Sequence, residues 1–507
     1  MFICNRICVY VYHFRSLKMV SYPSLQNISY VEEGVTECEV SGMLMSQLPP
    51  RVADLVTCYP TCIQSQKQSE MRQAGHKTDT ASLFLPREGG GHVSNMASEG
   101  SVASIISVLV QGGLTGILNN ISTVVEQGIL NKLWQLVATV QSSIYPHLKL
   151  STTDLISEHV STRGWSGSHI RCIAWHPHVA KIAVAYHDDS VSVFSVDKNV
   201  TQPVLKHAAM KNIASMAWRP LNTCHLAVAC GNGVAVWTVD PSSLVSRPSS
   251  SCLVKLVRPG HSPVTDVAWS PDGKLLASGS PADTRIHVWC VETATCDTVS
   301  RSGGGGATCI KWSQDSMKLF CATPGIVFRV WNTDTWTCDR WTVGGGVGRV
   351  AAASWAPDGC HLLFATTEEP VLYCVSFLGE GESAIPLMDL SKVCLDNGDV
   401  GGGLVQDIQW DPTGHRVAVS FKDTNSVCLL RSKPGQARLS PVGWVTSSSS
   451  HFPVCIQFQQ SPVEYGAVLT VAWSSDRVQH LPLVFNVQDD ILSEVTDNPV
   501  QELFTSF

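Results

Sequence analysis

Short apolar runs, each closed by an aromatic residue and usually a turn, recur along the last two-thirds of this chain. They read CIAWHP at Trp175, SMAWRP at Trp218, DVAWSPDG at Trp269, CIKWSQDS at Trp312, AASWAPDG at Trp355, DIQWDPTG at Trp410 and CIQFQQSP at Phe458. The steps from one aromatic to the next are 43, 51, 43, 43, 55 and 48 residues. Within each unit the order repeats: an apolar run, a turn, an alternating run, a third run and a loop. The third unit reads VTDVAW, PDG, KLLASGS, RIHVWCVET. Its alternation predicts strands, and Pro271-Asp272-Gly273 supplies the turn chemistry between them. Four short strands per period of about 40–50 residues are the signature of propeller blades. The prediction is an all-β fold, a seven-bladed β-propeller over 151–487 with an N-terminal helical segment. The two longest steps carry inserts, Pro241–Pro248 and the Gly- and acid-rich Gly379–Gly403, expected as surface loops suited to binding. A strand from 151–165 or the run Leu503–Phe507 is expected to complete the last blade.

Upstream the period changes. Over 101–148 the residues Ile105, Leu109, Ile117, Ile121, Val125, Leu133 and Leu136 fall at helical spacing, with Glu126 and Lys132 nearly the only charges. Two helices are expected there, broken near Gly112–Gly113 or Asn119–Asn120. They would either cap the propeller rim or bind a partner. The scarcity of Lys and Arg favours a protein groove over anionic lipid. Residues 1–95 show no sustained period, and Gln64–Lys77 followed by Gly89–Gly91 reads as polar linker, so a poorly ordered arm is expected. Residues 488–507 form a short acidic tail. The apolar stretch Val102–Leu118 is short for a span and is broken by Gln111, Gly112, Gly113 and Gly116. Arg6, His13, Arg15 and Lys18 interrupt the N-terminal apolar residues, a poor signal-peptide pattern. No transmembrane segment of its own is expected.

Composition narrows the function classes. A formal net charge of -7 argues against a general grip on nucleic acid, so no direct nucleic-acid contact is expected. Charged residues make up only 15% of the chain against 44% hydrophobic, a balance that suits many half-buried strands. The 19 cysteines are odd in number, scattered and without a CxxC pair. Cys172, Cys230, Cys309, Cys321, Cys374 and Cys428 fall inside strand patterns, where a thiol packs as a small hydrophobe. A reduced, cytosol-facing protein follows.

Candidate chemistry is thin. Gly303–Gly306 and Gly344–Gly348 lack the Gly-Lys-Ser/Thr ending of a phosphate loop and read as flexible connections between blades. The run Gly164-Trp165-Ser166-Gly167-Ser168 misses nucleophile-elbow spacing. His176 and His178 flank Pro177 without Cys or acidic support, as solvent-exposed loop histidines rather than metal ligands. Asp188–Asp189 reads as a strand-connecting turn. The innermost strands are expected to offer mainly Val, Ala, Ile and Trp to the central channel. No catalytic residue, cofactor site or metal site is expected, and the protein reads as a non-enzyme.

One unit carries a polar set: His261 after Gly260, Ser278 in the second strand, Asp283 in the next turn and Trp289 in the third strand. Hydrogen bonds from His to Asp, Ser and Trp can tie neighbouring strands together. The blade pattern resembles WD40 repeats, in which Gly-His precedes the first strand and Trp-Asp ends the third. The resemblance implies that this polar set is structural. Departures mark a divergent member: Trp237 is followed by Thr238, Trp289 by Cys290 and Trp331 by Asn332.

Longer phrases narrow the resemblance. PHLKLSTTDLISE (146–158), IRCIAWHPHVAKIAVAYHDDSVSVF (170–194), LAVACGNGVAVWTVDPSSLVSRPSS (226–250), PGHSPVTDVAWSPDGKLLASGSP (259–281), FRVWNTDTWTCDRW (328–341) and HLPLVF (480–485) are similar to the aladin family of WD40-repeat nucleoporins. The similarity extends over about 120–487. It implies a scaffold and docking subunit of the nuclear pore complex that supports pore organisation and nucleocytoplasmic transport through protein–protein contacts. The implied place is the cytoplasmic-facing side of the nuclear envelope, with some protein in the cytoplasm. The implied partners are other nucleoporins, including a membrane-spanning anchor nucleoporin, and no cofactor is implied. Segments 101–148 and 379–403 are the surfaces expected to meet partners. The alternative is a generic WD40 adaptor, such as a ubiquitin-ligase substrate receptor or a coat subunit.

Overall fold

Strands that are apolar on both faces need a neighbouring layer on each side, and a ring of sheets supplies one to every blade. The computed structural model describes residues 151–485, less short loop stretches, and the strands at 9–10, 27–29, 38–40 and 43–45. The chain divides into two compact units, Met1–Cys62 with Ser151–Phe507, and Ile63–Leu150. The helices expected over 101–148, the tail over 488–507 and most of the arm over 1–95 lie outside the described residues.

Seven sheets of sequential antiparallel strands follow one another from Ile170 to Val484. Their innermost strands are Ile170–Trp175, Ser215–Trp218, Asp266–Trp269, Cys309–Trp312, Val350–Trp355, Val405–Trp410 and Pro453–Phe458, which define blades 1 to 7. These strands touch in ring order, and Pro453–Phe458 returns to Ile170–Trp175. The hydrophobic core lies between blades rather than at one centre. Ala183, Val191 and Val193 of blade 1, for instance, pack with Trp218, Leu226 and Val228 of blade 2. Middle strands such as His361–Thr366 are buried along their whole length.

Closure differs from expectation. Residues 151–165 begin with a helix, Thr152–His159, because Ser151 caps it by accepting the Asp154 N–H at 3.2 Å and Ile156 turns a fully buried side chain inward. Leu503–Phe507 lies outside the described residues. The fourth strand of blade 7 comes instead from Cys38–Val40, which runs parallel to Val478–Val484 with Glu39 opposite Leu483, then turns back as Met43–Met45. Glu39 anchors it. Its fully buried carboxylate accepts Arg416 Nε at 3.0 and 2.7 Å and Nη2 at 2.5 Å. The Arg416 guanidinium also lies 4.4 Å from the Phe485 ring centroid. Val9–Tyr10 and Asn27–Ser29 likewise run parallel to the outer strands of blades 4 and 6.

The insert at 379–403 is also not a plain surface loop. Ser383–Asp389 is the outer strand of blade 5, and Val393–Cys394 pairs with Val400–Gly401. Leu390 and Leu395 are buried in the core between blades 5 and 6. Pro386 obscured this strand in the sequence. It is tolerated on an outer strand, beside a register shift. Among the described residues no helix is long and apolar enough to cross a membrane.

Candidate functional site

Five of the seven repeat aromatics tie their blade to the one before it. The indole N–H of Trp218 donates to Ala174 O at 3.1 Å, Trp269 to Ala217 O at 3.2 Å, Trp312 to Ala268 O at 3.0 Å and Trp355 to Lys311 O at 3.0 Å. Each time the acceptor is the carbonyl one residue before the preceding aromatic. Trp175 closes the ring by donating to Thr470 Oγ1 of blade 7 at 2.9 Å. Trp410 Nε1 is buried and meets no acceptor among the described residues, and Phe458 has no N–H to give.

In blade 3 the polar set comes together. Trp289 Nε1 donates to Ser278 Oγ at 2.9 Å, Ser278 Oγ lies 2.9 Å from His261 Nε2, and His261 Nδ1 lies 3.1 Å from Asp283 Oδ2. Two further residues join it that the sequence reading missed. His287 Nε2 lies 3.0 Å from the same Asp283 oxygen, and Cys296 Sγ lies 3.4 Å from His287 Nδ1. The two imidazoles meet edge to face, with ring centroids 4.2 Å apart. Burial opposes charge on Asp283, but the bonds from His261 and His287 outweigh it and hold the carboxyl well below its ordinary range. Burial keeps His261 below its ordinary value. On His287 burial also acts against the charge, yet the bonds to Asp283 and Cys296 push it up to about 9. His261, Asp283 and His287 bring three ligand atoms within 4.8 Å of one another, so this cluster has the donors to hold a metal ion. His287 sits two positions before Trp289 on one strand, hence on the same face, which was the signal available in the sequence.

The central channel is more polar than expected. A cavity of about 50 Å³ is lined by His159, Thr265, Asp266, Thr308, Lys311 and Asp407, among others. Asp266 accepts Ser215 Oγ at 3.1 Å and Ile310 N at 2.9 Å, and Lys311 Nζ lies 3.5 Å away. The Asp266 charge raises the Lys311 ammonium above its usual range. Asp407 accepts Ile408 N and Gln409 Nε2, but burial dominates and pushes it up to about 6. The end of the helix seals this mouth, where Gln406 Nε2 donates to Ser161 O at 2.9 Å and Arg349 Nη2 to Glu158 O at 3.0 Å. The space left is large enough for a few water molecules.

The remaining candidates are structural. His176 is not solvent-exposed. It is fully buried against Trp218, and its Nδ1 accepts the His178 and Val179 N–H groups at 3.1 and 3.0 Å, while His178 is exposed. Asp188 and Asp189 lie in a turn, with Asp189 bonded to Arg171 at 2.7 Å. A side chain at Gly306 would meet the Pro281 carbonyl oxygen at 2.1 Å, so glycine there permits close backbone packing. Burial pushes the Cys172 and Cys374 thiols up to about 12, as for inert core residues.

A family model described as the Aladin seven-bladed propeller matches residues 151–484. The chain is 28% identical over 385 residues to the protein named Aladin of Arabidopsis thaliana, across 69% of this chain and 83% of that one. It is 23% identical over 213 residues to WD repeat and HMG-box DNA-binding protein 1 of Xenopus laevis, across 41% of this chain and 18% of that protein.

Proposed function

The chain belongs to the aladin family of seven-bladed propellers, and from that premise we propose that it is a non-enzymatic scaffold and docking subunit of the nuclear pore complex. The observation that carries this reading is the extent of the family match, which runs from the helix at the channel mouth to the last strand of blade 7. The interblade ties support it as well. Indole hydrogen bonds staple five of the seven seams, and a ring held in this way can present several faces to several partners at once. The partners are other nucleoporins, among them a membrane-spanning one that anchors the chain at the cytoplasmic-facing side of the envelope. Through these contacts the subunit supports pore organisation and nucleocytoplasmic transport.

The test is live imaging of the tagged full-length chain beside a pore marker, followed by purification of its partners. A punctate nuclear rim coincident with the marker and co-purifying nucleoporins are expected. A vesicular or diffuse signal, with coat or ubiquitin-ligase subunits as the main partners, would replace this reading with that of a general propeller adaptor.

A further inference from the structure

We propose that His261, Asp283 and His287 of blade 3 form a binding site for one late first-row divalent cation of the zinc type. The donors come from three separate pieces of chain: the loop ahead of the first strand, the turn after the second, and the third strand itself. His261 Nδ1 and His287 Nε2 converge on one carboxylate oxygen, Asp283 Oδ2, at 3.1 and 3.0 Å. Zinc bonds of about 2.0–2.2 Å to nitrogen and carboxylate oxygen place tetrahedral ligand atoms roughly 3.3 Å apart. Those two separations are therefore close to what the ion requires. Two imidazoles and one carboxylate suit zinc, cobalt or nickel, whereas magnesium and calcium prefer oxygen throughout.

The outer partners strengthen the case. A metal-binding imidazole needs its second nitrogen held by a hydrogen bond, and both rings have that partner in place. Ser278 Oγ stands 2.9 Å from His261 Nε2, and Cys296 Sγ stands 3.4 Å from His287 Nδ1. With the ion bound, each ring carries its proton on this far nitrogen and presents a lone pair to the metal. Three protein ligands leave a position for water. It enters beside Asp283, whose side chain is 13% exposed against 1% and 4% for the two histidines. The ion would cross-link the loop ahead of blade 3 to the turn and third strand of that blade, in place of hydrogen bonds alone.

The experiment is a titration of purified, chelator-treated full-length protein with cobalt(II), read by visible absorption. One equivalent should produce the intense bands of a four- or five-coordinate ion, and added zinc should remove them. His287→Gln should abolish the bands; its metal-free melting temperature falls with the lost bond to Asp283, and a single cooperative melt shows that the blade still folds, since His261 keeps Ser278 and Asp283. Cys296→Ala should keep the bands and weaken cobalt binding about tenfold. Only the spectrum of the hydrated ion with the parent protein, or bands that survive His287→Gln, would overturn the proposal. Should His287→Gln fail to fold, an unchanged affinity in Cys296→Ala overturns it as well.

Discussion

Replacing Glu39 by leucine tests how the propeller is closed. In the native ring the carboxylate is fully buried and shares three short contacts with an equally buried Arg416, 377 residues away in sequence. Removing one partner of such a pair strands the other charge inside the protein, at a cost of about 3–5 kcal/mol. The loss falls on the strand Cys38–Val40 and on its neighbour Val478–Val484, which would be left as a free sheet edge. Amide hydrogen exchange in Val478–Val484 is the assay, since it reads local opening directly. Exchange there should speed up by about 100- to 4,000-fold in Glu39→Leu, while the inner strands of blades 2 to 4 stay protected. Pairing it with Arg416→Leu should recover most of the loss, because an apolar pair of similar volume replaces a buried ion pair at little cost. Unchanged exchange in the single variant, or a double variant no better than the single, would refute the assignment of Cys38–Val40 as the closing strand.

Trp269→Phe should destabilise the ring by about 2 kcal/mol, through lost ring area and the lost bond to Ala217 O. Trp410→Phe should cost about 1 kcal/mol less, as its N–H meets no acceptor among the described residues; urea unfolding distinguishes the pair, and equal losses would count against the interblade tie. Ser278→Ala leaves both His261 Nε2 and Trp289 Nε1 without their shared partner and should cost about 1–3 kcal/mol, read as a lowered melting temperature. Asp407→Asn should gain about 1–2 kcal/mol at pH 7.5. The native carboxyl titrates at about 6, above the unfolded value, so its ionised form is a cost that fades as pH falls through 6 towards 4. Lys311 and Asp266 face it across the cavity, and loss of the Lys311 attraction limits the gain. Melts of parent and variant should differ by clearly less at pH 4.5 than at pH 7.5; a constant difference would contradict the assignment.

The seven units were legible because each inner strand ends in a large aromatic that must be buried between two sheets, which fixes its spacing. Blade 3's polar set was legible for a similar reason, since a buried hydroxyl and indole demand partners. Closure was not. Three residues added through backbone hydrogen bonds show no periodicity, and Glu39 reads as a surface acid until Arg416 is seen beside it. The polar channel escaped notice although its cue was present. Asp266 and Asp407 stand three positions before Trp269 and Trp410, and Lys311 one before Trp312. With period 2 all three share the face opposite the aromatic, towards the channel. His287 was hidden inside IHVW, an ordinary strand until the turn brings Asp283 back to it.

The closing strand also sets a timetable for synthesis. Cys38–Val40 leaves the ribosome about 440 residues before its partner Val478–Val484. At about 5–20 residues per second, the early strand waits tens of seconds for the edge it completes. During that interval the blades can assemble in order from blade 1, but the ring cannot shut. Glu39 finds Arg416 once blade 6 is out, so capture of the waiting segment can begin just before the last blade arrives.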